Sequence, residues 1–292
     1  MSSKLTGTGV ALVTPFHSDG SIDFKSYKKL INNLITNKVD YVVPMGTTGE
    51  SVTLSKDEKK AIFDITLETV DGRVPVVAGV GGNNTRELCD SLNHFDKKGF
   101  TAILSVAPYY NKPNQEGHYQ HYRMLSEHSP LPVILYNVPG RTGANMTAET
   151  TLRLAHDFKN IIAVKEASGN IDQMMSILKH KPKNFQLISG DDGITLPLVS
   201  LGAIGVISVV ANAWPKDYAQ MVRYALAGDF EKARKLHYKL TDIINLLFAD
   251  GSPGGIKTVL KLKGICGDTV LLPLVVPSDA VQKKLKAAVE QY

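Results

Sequence analysis

Residues 41–65 read YVVPMGTTGESVTLSKDEKKAIFDI. Tyr41–Pro44 is a short apolar run ending at a turn, which predicts a strand. Ser55 and Glu58 make an S-x-x-E capping box, and Ala61, Ile62 and Ile65 follow at helical spacing. A strand therefore leads directly into a helix. Between them lies Gly46-Thr47-Thr48-Gly49, which has the look of a phosphate turn but lacks the lysine that follows in a P-loop. A doubly wound sheet usually announces a glycine-rich phosphate loop after its first strand. Here the first strand runs instead into Val13-Thr14-Pro15-Phe16.

The same step recurs along the chain. Predicted strands occupy Gly9–Val13, Tyr41–Pro44, Pro75–Val80, Phe100–Ala107, Pro132–Asn137, Ile161–Glu166, Phe185–Ser189 and Ala203–Val209. Several are near-continuous apolar runs, as parallel strands covered on both faces require. Helical spacing joins Phe24, Tyr27, Leu30, Ile31, Leu34 and Ile35. Asn84 and Glu87 repeat the capping logic before Leu88, Leu92 and Phe95, and Pro215 suits a first helical turn ahead of Tyr218, Met221 and Val222. Eight such units without a Pro-rich or Ser-rich linker predict an α/β fold, a (β/α)8 TIM barrel, over residues 1–228. Residues 229–292 exceed what a minimal barrel needs. They read as helix at Tyr238 and Leu240–Phe248, Ile256–Lys263 and Ser278–Gln291, with Gly251–Gly255 a loop. This C-terminal helical extension is expected to serve assembly rather than chemistry.

Composition narrows the class. A chain of 292 residues, 43% of them apolar, buries a core without disulfides or structural metal and is neither disordered nor low-complexity. Cys89 and Cys266 stand outside any CxxC pattern. The first ten residues lack the apolar segment of a secretory signal, and Ala203–Trp214, the most apolar stretch, is too short to cross a bilayer. A cytoplasmic protein without a membrane partner is the expectation. The net charge of +5 comes from 33 basic and 28 acidic residues spread along the chain, with no basic run, so no nucleic-acid partner is expected.

In a barrel of this kind the chemistry sits at the C-terminal strand ends. Strand alternation sets Ile161, Ala163 and Lys165 on one face, the interior, and Glu166 on the other. An interior lysine is costly unless it is neutral, paired or functional. A neutral amine in a carbonyl-binding pocket is a Schiff-base nucleophile; the competing reading is a lysine that reaches solvent or pairs with a carboxylate. Tyr110 and Tyr136, joined through Thr47, could move the protons that imine chemistry needs, or simply cap the barrel with wet hydroxyls. The Gly46–Gly49 turn offers amides and hydroxyls to a small carboxylate, or is a plain turn. Arg141, within Pro139–Gly143, is either a carboxylate clamp or a surface ion-pair partner. His118 and His121 lack a third ligand and read as surface residues rather than a metal site. Asp191-Asp192 read as a helix cap rather than a Mg²⁺ site.

Gly46–Ser51 (GTTGES), Pro108–Pro113 (PYYNKP), Tyr136–Gly143 (YNVPGRTG), Lys165–Gly169 (KEASG) and Ser189–Asp192 (SGDD) resemble, in order and over nearly the whole chain, the dihydrodipicolinate synthases. These belong to the class I pyruvate aldolase superfamily, which also holds N-acetylneuraminate lyase. The resemblance implies a lyase without cofactor or metal that condenses pyruvate with L-aspartate 4-semialdehyde, on the route to lysine and diaminopimelate. It implies that Lys165 forms the Schiff base and that Tyr136 is the acid/base, relayed through Thr47 to Tyr110 of a neighbouring subunit. It places the pyruvate carboxylate at Thr47-Thr48, the second carboxylate at Arg141, and Gly190 and Ile207 along the pocket, in a homotetramer built as a dimer of dimers. It further implies an allosteric lysine site at Ser51, Asn83, Glu87 and Tyr109. Lys56 and Lys59 stand where lysine-sensitive members carry histidine, so weak or absent feedback is expected. Ser252-Pro253-Gly254-Gly255 departs from the Asn-Pro usual before the C-terminal helix. A sister aldolase acting on N-acetylneuraminate or 2-keto-3-deoxygluconate is the alternative, against which Arg141 weighs, since the neuraminate lyases often carry leucine there. A catalytically silent keto-acid-binding barrel has no reason to keep Lys165, Tyr136 and Thr47 together.

Overall fold

The computed structural model describes residues 5–292. The strands are β1 (Gly7–Ala11), β2 (Tyr41–Val43), β3 (Val77–Gly79), β4 (Ala102–Val106), β5 (Val133–Asn137), β6 (Ile161–Glu166), β7 (Gln186–Ser189) and β8 (Gly205–Ser208). Every predicted strand is present, with ends displaced by two residues or fewer. Pro75 and Pro132 fall outside their strands because proline has no N–H to give the ladder. All pairings are parallel, in the order β2-β1-β8-β7-β6-β5-β4-β3. The two outer strands meet through a parallel Val42–Val76 bridge, with Val42 N donating to Pro75 O at 3.1 Å and Gly79 N to Pro44 O at 2.9 Å. The sheet closes on itself as a (β/α)8 barrel. Side chains including Ala11, Tyr41, Val77, Leu104, Ile134 and Ile188 fill its interior.

Around the barrel run α1 (Phe24–Thr36), α2 (Lys56–Val70), α3 (Thr85–Asn93), α4 (Gln115–His128), the single turn α5 (Pro139–Thr142), α6 (Ala148–Asp157), α7 (Ile171–His180), α8 (Thr195–Ser200) and α9 (Pro215–Leu226). The capping box of α2 is complete, with Ser55 and Glu58 each bonded to the other's backbone. That arrangement stabilises a helix start by about 1 kcal/mol. Asn84 accepts from the Glu87 amide at 3.4 Å.

His118 and His121 are not on the surface, as expected from the sequence, but buried. Their helix, α4, packs against both α3 and α6, so two of its faces are covered. His121 Nδ1 lies 2.8 Å from Thr85 Oγ1. Burial, and then the neighbouring His118, pull its pKa down to about 4; burial also lowers His118. Among the described residues no three His, Cys, Asp or Glu side chains form a group that could hold a metal ion. No described helix is long and apolar enough to cross a membrane. The signal-peptide reading falls partly on residues 1–4, outside the described residues.

Three helices follow the barrel: α10 (Phe230–Phe248), α11 (Gly254–Leu262) and α12 (Asp279–Gln291). Leu240, Ile243, Ile244 and Leu247 of α10 join the same apolar cluster as Val10 and Leu12 of the barrel. Gly254 and Gly255 belong to α11 rather than to the expected loop. A Cβ on Gly255 would stand 2.3 Å from Leu247 O, so only glycine lets α11 approach the end of α10 this closely.

Candidate active site

The site begins with an irregularity. β5 and β6 pair Val133 with Ile161 and then Ile134 with Ala163, so one residue of β6 is skipped. Ile161 therefore packs outside the barrel with Val133 and Leu135, while Ala163 packs inside. The expected face of Ile161, Ala163 and Lys165 is corrected accordingly: regular alternation starts only at Ala163, and from there it turns Lys165 inward and Glu166 outward.

Lys165 lies in register between Tyr136 of β5 and Ile188 of β7. It is 6% exposed, and its Nζ stands 4.1 Å from the centre of the Tyr136 ring. Neither bland reading of this lysine holds: it does not reach solvent, and it pairs with no carboxylate among the described residues. The hydroxyls of Tyr41 and Tyr122 are tied to backbone carbonyls, whereas that of Tyr136 is bonded to no protein group among the described residues. Gly190, whose N donates to Glu166 O at 2.8 Å, leaves room for the amine; a Cβ there would lie 3.1 Å from Lys165 Cε. Ile207 is buried in the same interior cluster as Tyr136.

Across the mouth, Thr47–Gly49 forms a tight 3-10 turn after β2. Thr14 Oγ1 donates to Gly49 O at 2.8 Å, and Glu50 ends the turn in a left-handed conformation, φ 56°. Thr48 is buried and Thr47 half-buried. Tyr110 behaves differently. It is 87% exposed at φ 75°, with Lys112 also left-handed at φ 48°. Thr47, Tyr136 and Tyr110 therefore do not close a relay within one chain. The Tyr110 amide donates to Thr142 O at 3.2 Å, which ties its loop to α5. Arg141 projects from α5, exposed, and no carboxylate among the described residues answers the surface ion-pair reading.

The acidic pair after β7 splits its roles. Asp191 caps the next turn through Gly193 N at 2.8 Å. Asp192 is buried and accepts from Val209 N and Val210 N at 3.0 and 2.8 Å, so it anchors the end of β8 instead of capping. Burial pushes its pKa up. Of the four residues of the implied lysine site, Asn83 and Tyr109 are joined by a 3.2 Å bond from Asn83 Nδ2 to Tyr109 O. Ser51 sits in the second 3-10 turn, and Glu87 is exposed on α3.

The chain that carries this lysine has close counterparts over its whole length. The family model described as the dihydrodipicolinate synthetase family matches residues 4–292. The chain belongs to this family. The 4-hydroxy-tetrahydrodipicolinate synthase of Parabacteroides distasonis is 52% identical over 288 residues, covering 99% of this chain and 97% of that one. The crystal structure of dihydrodipicolinate synthase from Aquifex aeolicus superposes with a TM-score of 0.95 at 38% identity, covering 99% of this chain and 98% of its own. That of the chloride-inhibited synthase from Acinetobacter baumannii, complexed with pyruvate, matches with a TM-score of 0.94 at 36% identity, covering 98% of each chain.

Two buried charges of this dihydrodipicolinate synthetase family member have roles that only the folded structure shows. Glu166 is fully buried on the outer side of β6. It accepts from Asn137 Nδ2 at 3.0 Å, Ser168 N at 2.8 Å and Gln173 Nε2 at 3.0 Å, and Asn145 bridges Asn137 and Gln173. Amide donors thus fix the strand that carries Lys165 to its neighbour β5, to α7 and to the segment after Arg141. The second charge is Lys257 of α11, with no exposed surface, whose Nζ lies 2.5 Å from Glu50 Oε1. The only sequence signal for it was a lysine flanked by Ile256, Val259 and Leu260 in an apolar helix.

Proposed function

We propose that the chain is a 4-hydroxy-tetrahydrodipicolinate synthase that condenses pyruvate with L-aspartate 4-semialdehyde through an imine on Lys165. The placement of Lys165 carries this reading: inward-facing, unpaired among the described residues and over the ring of Tyr136. Its nitrogen adds to the keto carbon of pyruvate, and the carbinolamine then loses one water to give the imine. Removal of a methyl proton gives the enamine, whose carbon bonds to the aldehyde carbon of the second substrate. The amine of that substrate then displaces Lys165 from the imine carbon, closing the six-membered ring and returning the lysine.

Tyr136 moves the protons at the carbinolamine oxygen and the aldehyde oxygen, with Thr47 next in the relay. The Thr47-Thr48 turn holds the pyruvate carboxylate through amides and hydroxyls, Gly190 and Ile207 line the pocket, and Arg141 meets the carboxylate of the semialdehyde at the mouth. Tyr110 completes the relay from a second copy of the chain. Its 87% exposure on a left-handed backbone, a conformation costing a non-glycine residue about 1–2 kcal/mol, fits a side chain built to enter a neighbour's site. That role requires at least a dimer, and the family suggests a homotetramer. A cytoplasmic setting suits two free, buried cysteines.

Borohydride reduction in the presence of pyruvate tests the mechanism. One pyruvate-derived adduct on Lys165, absent from Lys165→Ala, is expected together with turnover in an assay containing both substrates. An adduct on another lysine, or none, overturns the assignment.

A further inference from the structure

The C-terminal helices do more than add bulk, because one of their side chains reaches the substrate turn. Lys257 is completely buried. Besides Glu50 Oε1, its Nζ meets Thr269 O at 2.8 Å and stands 4.2 Å from the centre of the Phe16 ring. Burial pulls its pKa down, and Glu50 pushes back. The other carboxylate oxygen of Glu50 accepts from Leu271 N at 2.8 Å. Both oxygens of one barrel carboxylate are thus held by groups from the C-terminal extension.

Glu50 is where the two 3-10 turns of the loop meet. Its N donates to Thr47 O at 3.1 Å, and its O accepts from Thr53 N at 3.1 Å and from Thr53 Oγ1 at 2.9 Å. A non-glycine residue keeps a left-handed backbone only where its surroundings over-determine it. Here the surroundings are those backbone bonds together with the charge pair and the Leu271 amide that hold the side chain. Buried ion pairs are weak devices for stability, since apolar replacements of similar volume often do as well, but they select one geometry.

We propose that Lys257 is a positioning residue for the reaction: through Glu50 it locks the Thr47-Thr48 turn in the shape that binds the pyruvate carboxylate. This rests on the reading of that turn given above. Glu50→Gln/Lys257→Met removes both charges while keeping the side-chain volumes, and Glu50→Asp keeps both charges but shortens the reach. Each is measured beside the parent for melting temperature, for the pyruvate concentration giving half-maximal borohydride trapping at Lys165, and for amide hydrogen exchange over residues 47–53.

The double variant is expected to stay folded while its half-saturating pyruvate rises about tenfold or more, because a carboxylate grip displaced by a fraction of an ångström binds poorly. The extent of trapping at saturating pyruvate should stay within about twofold of the parent, since it counts occupied Lys165 and not the speed of the relay through Thr47. The amides of Gly49 and Glu50 should lose protection. Glu50→Asp should move the same way, and it decides the matter if the double variant does not fold. A folded variant with parental half-saturation overturns the proposal, as does a uniform loss that follows the folded fraction. A parent that takes no pyruvate onto Lys165 removes the underlying reading and this one with it.

Discussion

Gly190→Ala puts one methyl group against the amine-bearing strand and tests how tightly the site is built. The added Cβ would stand 2.8 Å from Ala167 Cβ, 3.1 Å from Glu166 O and 3.1 Å from Lys165 Cε. Carbon atoms in ordinary contact are about 3.5–4.0 Å apart, so the approach to Ala167 is too close by about 1 Å. Ala167 Cβ moves only with its backbone, and Glu166 O is held by the Gly190 amide itself. Relief must come from spreading the ends of β6 and β7 and from displacing the lysine side chain. Overpacking of this kind costs about 1–3 kcal/mol of stability. A nucleophile misplaced by about 1 Å loses up to about a hundredfold in rate, so a shift shared between two strands and a side chain should cost about tenfold. The assay is the rate of borohydride-trapped pyruvate on Lys165, normalised to folded protein. Gly82→Ala, where a Cβ meets nothing within 4 Å, is the control. Trapping by Gly190→Ala at the parental rate, with an unchanged melting temperature, would show that this strand end has slack the geometry denies.

Acid sensitivity gives a second prediction. The folded value of about 4 for His121 lies below the ordinary 6.5, so its contribution is complete above pH 6.5 and is lost as pH falls toward 4, by about 2 kcal/mol between pH 7 and pH 5. His121→Phe should flatten that part of the profile in urea unfolding at the two pH values, and an unchanged pH slope would count against the buried, neutral histidine. A third concerns feedback. Lys56 is exposed at the first turn of α2 with Lys59 one turn on, and a like charge about 4–5 Å from a bound ammonium costs about 1 kcal/mol even in water. Free lysine should therefore inhibit the initial rate weakly or not at all, and strong inhibition at sub-millimolar lysine would refute this.

What could be read in the sequence, and what could not, divides along a physical line. The strands were legible because parallel strands covered on both faces are written as local apolar runs, and Lys165 was legible because Ala163-Val164-Lys165-Glu166 alternates. Ile161 was misplaced because a skipped residue in the ladder depends on the neighbouring strand. His118 and His121 were placed outside because spacing shows that two residues share a helix face but not whether α3 and α6 cover it.

The pairing of Glu50 with Lys257 spans 207 positions, so a lysine in an apolar helix is legible but its partner is not. With the positioning role proposed for Lys257, the residues beyond the barrel would serve the substrate turn as well as assembly. An assembly module needs apolar area and surface shape, and a buried lysine supplies neither. Losing one partner of such a pair typically costs about 3–5 kcal/mol, because the other is left as an uncompensated charge, whereas exchanging both for apolar groups is often neutral. A fold that needed only stability there would be served by leucine. The lysine makes sense if what matters is the one position it allows Glu50 to take, three residues past the first threonine of the substrate turn. On the proposed role of Lys257, the extension shapes the substrate turn from behind, while β6 carries the nucleophile.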